Sequence, residues 1–358
     1  MYNSGIRSYA LVKLTMMFQT KKEIAAWLLD MGISNTSIND DLSVDVKGSV
    51  GIDNLKLKEL PVQFGVIEGF FNCCYNELTS LKGSPRHVKG NFLCSGNHIE
   101  NLKHAPLVVE GLFACTGANL KSLIGAPEKV DSFHCFNSQL TTLVGSPRII
   151  TKNFDCSSNL LKDLKEGPLE VGGQYKCSNN QIISLSGCPY NVGDFICNKN
   201  KLKSLTGGPE RITGSYECAE NELTNLVGAP EFIPYNFICE NNQLISLKGA
   251  PHTVNYRFNC SSNNLQSLEF CPQSIGFNFY FKNNPIKNLN FLPLDVLGKL
   301  VFSPIKGLDY LGPFEDKESK TVIAFFIDIK PILEKAKLFK DLKEQLSKSK
   351  ITNPSVKI

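Results

Sequence analysis

From Phe71 onward the apolar positions of the chain keep a fixed long period instead of a strand's simple alternation or a helix's 3.6-residue spacing. Cysteine recurs at Cys73, Cys94, Cys115, Cys135, Cys156, Cys177, Cys197, Cys218, Cys239 and Cys260, in steps of 21 residues with two of 20. Two places before each stands an aromatic: Phe71, Phe92, Phe113, Phe133, Phe154, Tyr175, Phe195, Tyr216, Phe237 and Phe258. Asn usually follows three places after, as in Asn76, Asn97, Asn159, Asn180, Asn200, Asn221, Asn242 and Asn263. Leu or Ile comes five places after the cysteine, Leu eight, Pro twelve, and Val or Ile fifteen. The unit reads V-x-G-x-F-x-C-x-x-N-x-L-x-S-L-x-G-x-P. Ile52 takes the cysteine place one period upstream and Phe281 one period downstream, which makes twelve rungs from about Ser49 to Leu300. A period near 20 residues predicts a solenoid.

Each recurring position has a physical reading. F-x-C alternates, so both side chains point into the body from one short strand. Strands repeated once per rung stack in parallel, and the leucines fill the core behind them. The Asn amide ends the strand and bonds the backbone of the neighbouring turn. Pro stiffens the return without needing a donor. No rung buries its apolar face alone, so stability is a nearest-neighbour property. Ala118, Ser138 and the two 20-residue steps break this regularity and predict local kinks.

Two caps flank the repeats. Residues 1–48 hold a tail, a helix over Lys21 to Met31 with Ile24, Ala25, Leu28 and Leu29 at helical spacing, and a hairpin around Asn39-Asp40-Asp41. Residues 49–300 form the solenoid. Residues 301–358 read as a helical cap with a loose tail, its helices spanning 321–330 and 332–349 about Pro331.

The motif F-x-C-x-x-N-x-L-x-S-L-x-G-x-P resembles the leucine-rich repeat in its short bacterial-type form, over about 70% of the chain. The resemblance implies an α+β repeat fold with a parallel sheet of about twelve rungs between a small N-terminal α/β cap and a C-terminal helical cap. The repeat, with the stretch at residues 21–50, is similar to leucine-rich repeat proteins of tailed bacteriophages and bacteria. That implies a phage or bacterial origin, but little about activity.

Composition narrows the chemistry. A net charge of +4, from 38 basic and 34 acidic residues, gives no concentrated basic face for nucleic acid. The longest apolar runs are too short to span a bilayer. The start lacks a signal-peptide pattern, Met16 and Met17 offer alternative starts, and the expected location is the cytoplasm, the host's if the chain is phage-encoded. Thirteen cysteines, ten of them one per rung, lack the paired spacing of a zinc site and suit a disulfide poorly, so they read as reduced, buried filler. The histidines show no paired spacing either. Cys74, next to Cys73, faces the other way and reads as an exposed thiol or a contact residue. No nucleophile elbow, P-loop, zincin or dinucleotide motif is present. The reading is therefore no enzyme, no cofactor and no metal.

What remains is the concave sheet face. Its early rungs carry Phe70, Asn72, Cys74, Tyr75, Leu93, Leu112, His134 and Phe136, an aromatic and aliphatic patch suited to binding another protein. Further on come Lys176, Ile196, Glu217 and Glu240, with more carboxylates in rungs seven to nine. The partner implied by the phage resemblance is a host factor, for example a defence protein. The rival reading is a virion or assembly component that packs against its own copies.

Overall fold

The computed structural model describes residues 17–306, 315–316, 321–326, 328–331 and 334. They belong to two compact units: one holds the chain up to Glu222 with Gly228–Pro230, the other Leu223–Val227 with the chain from Glu231. Both are parallel β-solenoids built from the same rung.

Each rung carries two short strands, not one. The first lies on the F-x-C motif. In the first unit Phe71 pairs with Phe92, then Phe113, Phe133, Phe154, Tyr175, Phe195 and Tyr216, all parallel. In the second, Phe237 pairs with Phe258, Phe279 and Leu300. The second strand lies on the Val or Ile four residues earlier. It pairs Ile67, Val88, Val109, Val130, Ile150 and Val171 in the first unit, and Ile233, Val254, Ile275 and Val296 in the second. A corner of three residues, usually with glycine in the middle, separates the two strands. At Gly90 an added Cβ would lie 2.7 Å from the carbonyl oxygen of Gly69, so the backbones of stacked corners touch and only glycine fits there without movement.

The F-x strand is short because the residue two places after the cysteine is left-handed in all twelve rungs, from Asn54 (φ 56°) to Asn283 (φ 56°). That turn sends the next Asn inward. Asn180 shows the pattern: its Nδ2 donates to the carbonyls of Cys156 and Cys177, both at 3.1 Å, and its Oδ1 accepts from Leu161 N at 3.0 Å. One buried side chain thus bonds its own rung and the preceding one. The strand aromatics are fully buried and stack along the ladder, as in Phe92–Phe113 (5.2 Å between centroids, 15° between planes). Such pairs contribute about 0.5–1.5 kcal/mol each beyond their burial. The ladder cysteines are buried free thiols, and several donate weakly to the next rung, as Cys94 Sγ does to Ala114 O at 3.3 Å.

Both 20-residue steps lose their residue at the corner. Two residues, not three, separate Val130 from Phe133 and Val192 from Phe195. With the first corner shortened, both strands of that rung merge into one, Lys129–His134, against an equally continuous Val108–Ala114. The expected kink takes the form of a register shift between Val109 and Leu112. These are the rungs in which Ala118 and Ser138 replace the ladder Asn.

At the N-terminal end a helix, Lys21–Asp30, starts at a capping box in which Thr20 Oγ1 accepts from Glu23 N and the Glu23 carboxylate from Thr20 N. Its buried face is Ile24, Trp27 and Leu28; Ala25 and Leu29, expected there from spacing, are exposed. Trp27 meets Phe64 edge-on at 6.4 Å. The expected hairpin is present as Thr36–Ile38 antiparallel to Val44–Val46, and Val44–Val46 continues in parallel to Phe64–Ile67.

At the other end the expectation of helix over 321–330 fails in its first half. Thr321–Phe325 is a strand antiparallel to Lys299–Phe302, with Val322 and Ala324 buried and Ile323 and Phe325 exposed. The last parallel strand leaves an open edge, and an alternating, β-branched segment pairs with it. Helical backbone appears at Phe326 and over 328–331. Most of 332–349 lies outside the described residues.

Candidate functional site

The F-x-C strand presents its outward residues in columns, one residue per rung. In the first unit the column just before the cysteine runs Asn72, Leu93, Ala114, His134, Asp155, Lys176, Ile196 and Glu217, in register by strand pairing. Most of these are half-buried, since each side chain is flanked by those of the rungs on either side. Asn72 bridges rungs: its Nδ2 donates to Asp53 Oδ1 at 3.1 Å, and its Oδ1 accepts from Cys74 N. Glu217 accepts from Asn198 Nδ2 at 3.0 Å. Leu93, Leu112, Lys176 and Ile196 are half-buried.

Phe70 and Phe136 stand out, 45% and 38% exposed. They lie three rungs apart, with Leu93 and Leu112 on the rungs between them and His134 on the rung of Phe136. Tyr75 is also exposed, in the left-handed turn at φ 54°. Its ring lies against Gly96, where an added Cβ would come 2.6 Å from Tyr75 Cδ1. His134 sits 6.3 Å from the Phe136 ring centroid. Burial holds its imidazole below the ordinary histidine range, opposed by the charge of Asp155 and reinforced by that of Lys176, so it faces the solvent uncharged at neutral pH.

One expectation needs correction. Cys74 is not an exposed thiol: its residue is only 8% exposed. Burial raises its pKa, an effect that hydrogen bonding with Ser95 partly offsets. The neighbouring rungs close over the short side chain. Of the candidate residues, eleven belong to the first unit and Glu240 to the second. The carboxylates of the later first-unit rungs are engaged with neighbours: Asp194 Oδ1 accepts from Ser215 N, and its Oδ2 accepts from Gln174 Nε2.

In the second unit the sheet face has a different chemistry, only partly visible as a pattern. The corner place held by Gly69, Gly90, Gly111, Gly173, Gly193 and Gly214 in the first unit is held in three rungs there by Tyr235, Tyr256 and Phe277, all exposed, before Gly298 restores the glycine. The signal was three successive aromatics at a glycine position. Beside them on the outward columns are Arg257, Lys282 and Lys299. Glu240 stands there too, with its Oε2 accepting from Asn259 Nδ2 at 2.7 Å.

The thiols do not form a reactive centre. Burial pushes the ladder cysteines up, and Cys271, whose Sγ donates to Phe291 O at 2.9 Å, up to about 12. Thiolate, the nucleophile and metal ligand, is therefore scarce. Among the described residues no three or more His, Cys, Asp or Glu side chains are placed to hold a metal ion, and no helix is long and apolar enough to cross a membrane.

A strand on F-x-C, a left-handed turn, an inward Asn and two leucines, stacked in parallel rung upon rung, define a parallel β-solenoid whose repeat resembles the leucine-rich repeat. No family model matches the chain, and no curated protein does. Among solved structures it is similar to YopM from Yersinia enterocolitica WA-314, at 19% identity and a TM-score of 0.44, with 79% of this chain and 70% of that chain covered.

Proposed function

We propose that the protein is a non-enzymatic scaffold that binds another protein through the sheet face of its first unit. The observation that carries this reading is the exposure of Phe70 and Phe136 on a frame of hydrogen-bonded rungs. Aromatic surface held in water on a rigid frame concentrates binding energy when a partner covers it. A preformed face also loses little conformational entropy on association. The half-buried Leu93 and Leu112 and the uncharged His134 add area without a charge to desolvate. Given the resemblance of the repeat to phage-encoded proteins, the partner in this reading is a host factor, which the solenoid inhibits by occluding its contact surface.

The test is affinity capture of the tagged protein from cells that contain the partner, with the Phe70→Ala, Phe136→Ala double variant in parallel. The variant is expected to lose most of the captured partner while its melting temperature stays within about 2 °C of the parent, as for exposed substitutions. Unfolding of the variant would assign both rings to the core. A rival reading, self-association in an assembly, is favoured by the exposed Ile149, Leu169 and Tyr190 on successive rungs of the first unit. Sedimentation as a monomer at high concentration would remove it.

A further inference from the structure

Among the described residues Arg257 is a cation without an anion. It lies on the outward column of the second unit, its Nε is buried without a hydrogen-bond partner, and it forms no ion pair among the described residues. Its Cζ stands 5.1 Å from the ring centroid of Tyr280, which holds the guanidinium over an aromatic face and not in free solution. The Tyr280 hydroxyl accepts from Asn278 Nδ2 at 3.0 Å, which leaves its own proton to donate elsewhere. Asn278 Oδ1 accepts in turn from the Lys299 backbone N–H at 2.8 Å, and the Nζ of Lys299, the next cation in the column, stands 5.1 Å from the Phe325 ring centroid. With Lys282, this face carries three cations against Glu240 alone, and Glu240 is already bonded to Asn259.

We propose that this face binds an acidic segment of a partner protein, with Arg257 taking one of its carboxylates. The planar guanidinium matches a carboxylate in fork geometry, and the Tyr280 hydroxyl supplies a further donor. The aromatic corner favours a peptide over a nucleic acid. Tyr256 and Phe277 stack on one another, 4.7 Å between centroids and 10° between planes. Their mutual faces are closed to the base stacking that single strands use, while their exposed edges suit the apolar side chains of a peptide. This site is separate from the first-unit face and stands whether or not that face binds anything.

The experiment is fluorescence anisotropy of a fluorescein-labelled peptide, Glu-Glu-Leu-Glu-Glu-Phe, titrated with the full chain at low salt. Binding is expected, weakened roughly ten- to hundredfold by Arg257→Met, as for loss of a charge-assisted hydrogen bond, and more mildly by Tyr256→Ala with Phe277→Ala. The Phe70→Ala, Phe136→Ala variant is expected to bind this peptide like the parent, which separates failure of this site from failure of the first-unit face. Equal binding by a folded Arg257→Met variant, no binding by the parent, or stronger competition from a single-stranded oligonucleotide of equal charge would each overturn the proposal.

Discussion

Tyr175 and Tyr216 occupy the strand position that phenylalanine holds in most rungs, and each brings a hydroxyl into a fully buried place. The chain makes room for it locally. Eight residues before these tyrosines stand Gly167 and Gly208, whereas Ser84, Ala105, Ser146, Ala229, Ala250 and Cys271 stand eight before a phenylalanine. A Cβ added at Gly208 would lie 3.1 Å from Tyr216 Oη and 2.9 Å from Leu185 Cδ1. The hydroxyl therefore fills volume that a side-chain carbon fills elsewhere. Gly208→Ala is expected to destabilise by about 1–3 kcal/mol, the usual cost of overpacking. In a Tyr216→Phe background the same substitution should cost clearly less, because the clash with oxygen is gone. A double-mutant cycle of urea midpoints measures that coupling; purely additive effects would show that the glycine serves the backbone and not the tyrosine.

At the scale of the element, the Asn ladder joins one rung to the next. Removing Asn180 strands the Leu161 N–H inside the body, while the carbonyls of Cys156 and Cys177 each keep one donor, Asn159 Nδ2 and Asn200 Nδ2. Asn180→Ala is expected to cost about 1–3 kcal/mol, since a buried N–H left unpaired bears the desolvation penalty. Ala118→Asn, which restores a ladder member to a broken stretch, should cost nothing or stabilise. Opposite signs in thermal unfolding would support the ladder, and equal losses would refute it. This ladder was legible in the sequence because Asn at a fixed offset has one geometric use in a stacked turn. The second strand of each rung was not: a two-residue strand shows no alternation, so Val88 or Ile150 could be read as apolar filler but not as a strand. The segment 321–325 failed for a different reason. Val322, Phe325 and Phe326, at i, i+3 and i+4, also fit a helical face, and the choice of strand comes from a distant partner, Lys299–Phe302, which local spacing does not encode. The outward columns followed from the alternation of F-x-C, yet the burial of Cys74 and the isolation of Arg257 depend on neighbouring rungs and emerged only with the coordinates.

At the scale of the whole molecule, a solenoid should tolerate the loss of a complete rung and not of a part. Each rung buries its Phe, Cys and Leu side chains against equivalents at the same height on either side, so only the period must be conserved. Deleting residues 157–177 joins Cys156 to Ser178 and removes one exact period within the first unit. The strand that follows, Phe195–Ile196, then finds Phe154–Asp155 where Tyr175–Lys176 had been, with aromatic against aromatic. Asn180 likewise meets Cys156 in its own rung, in place of Cys177. This variant is expected to fold, keep its far-ultraviolet circular dichroism per residue, and melt cooperatively a few degrees below the parent. Deleting residues 157–166 removes about half a period and sets core positions against loop positions, and it should yield a chain that melts broadly or does not fold. If both deletions melt alike, the stability comes from the caps or from particular residues, and rung-to-rung stacking is not what holds the fold.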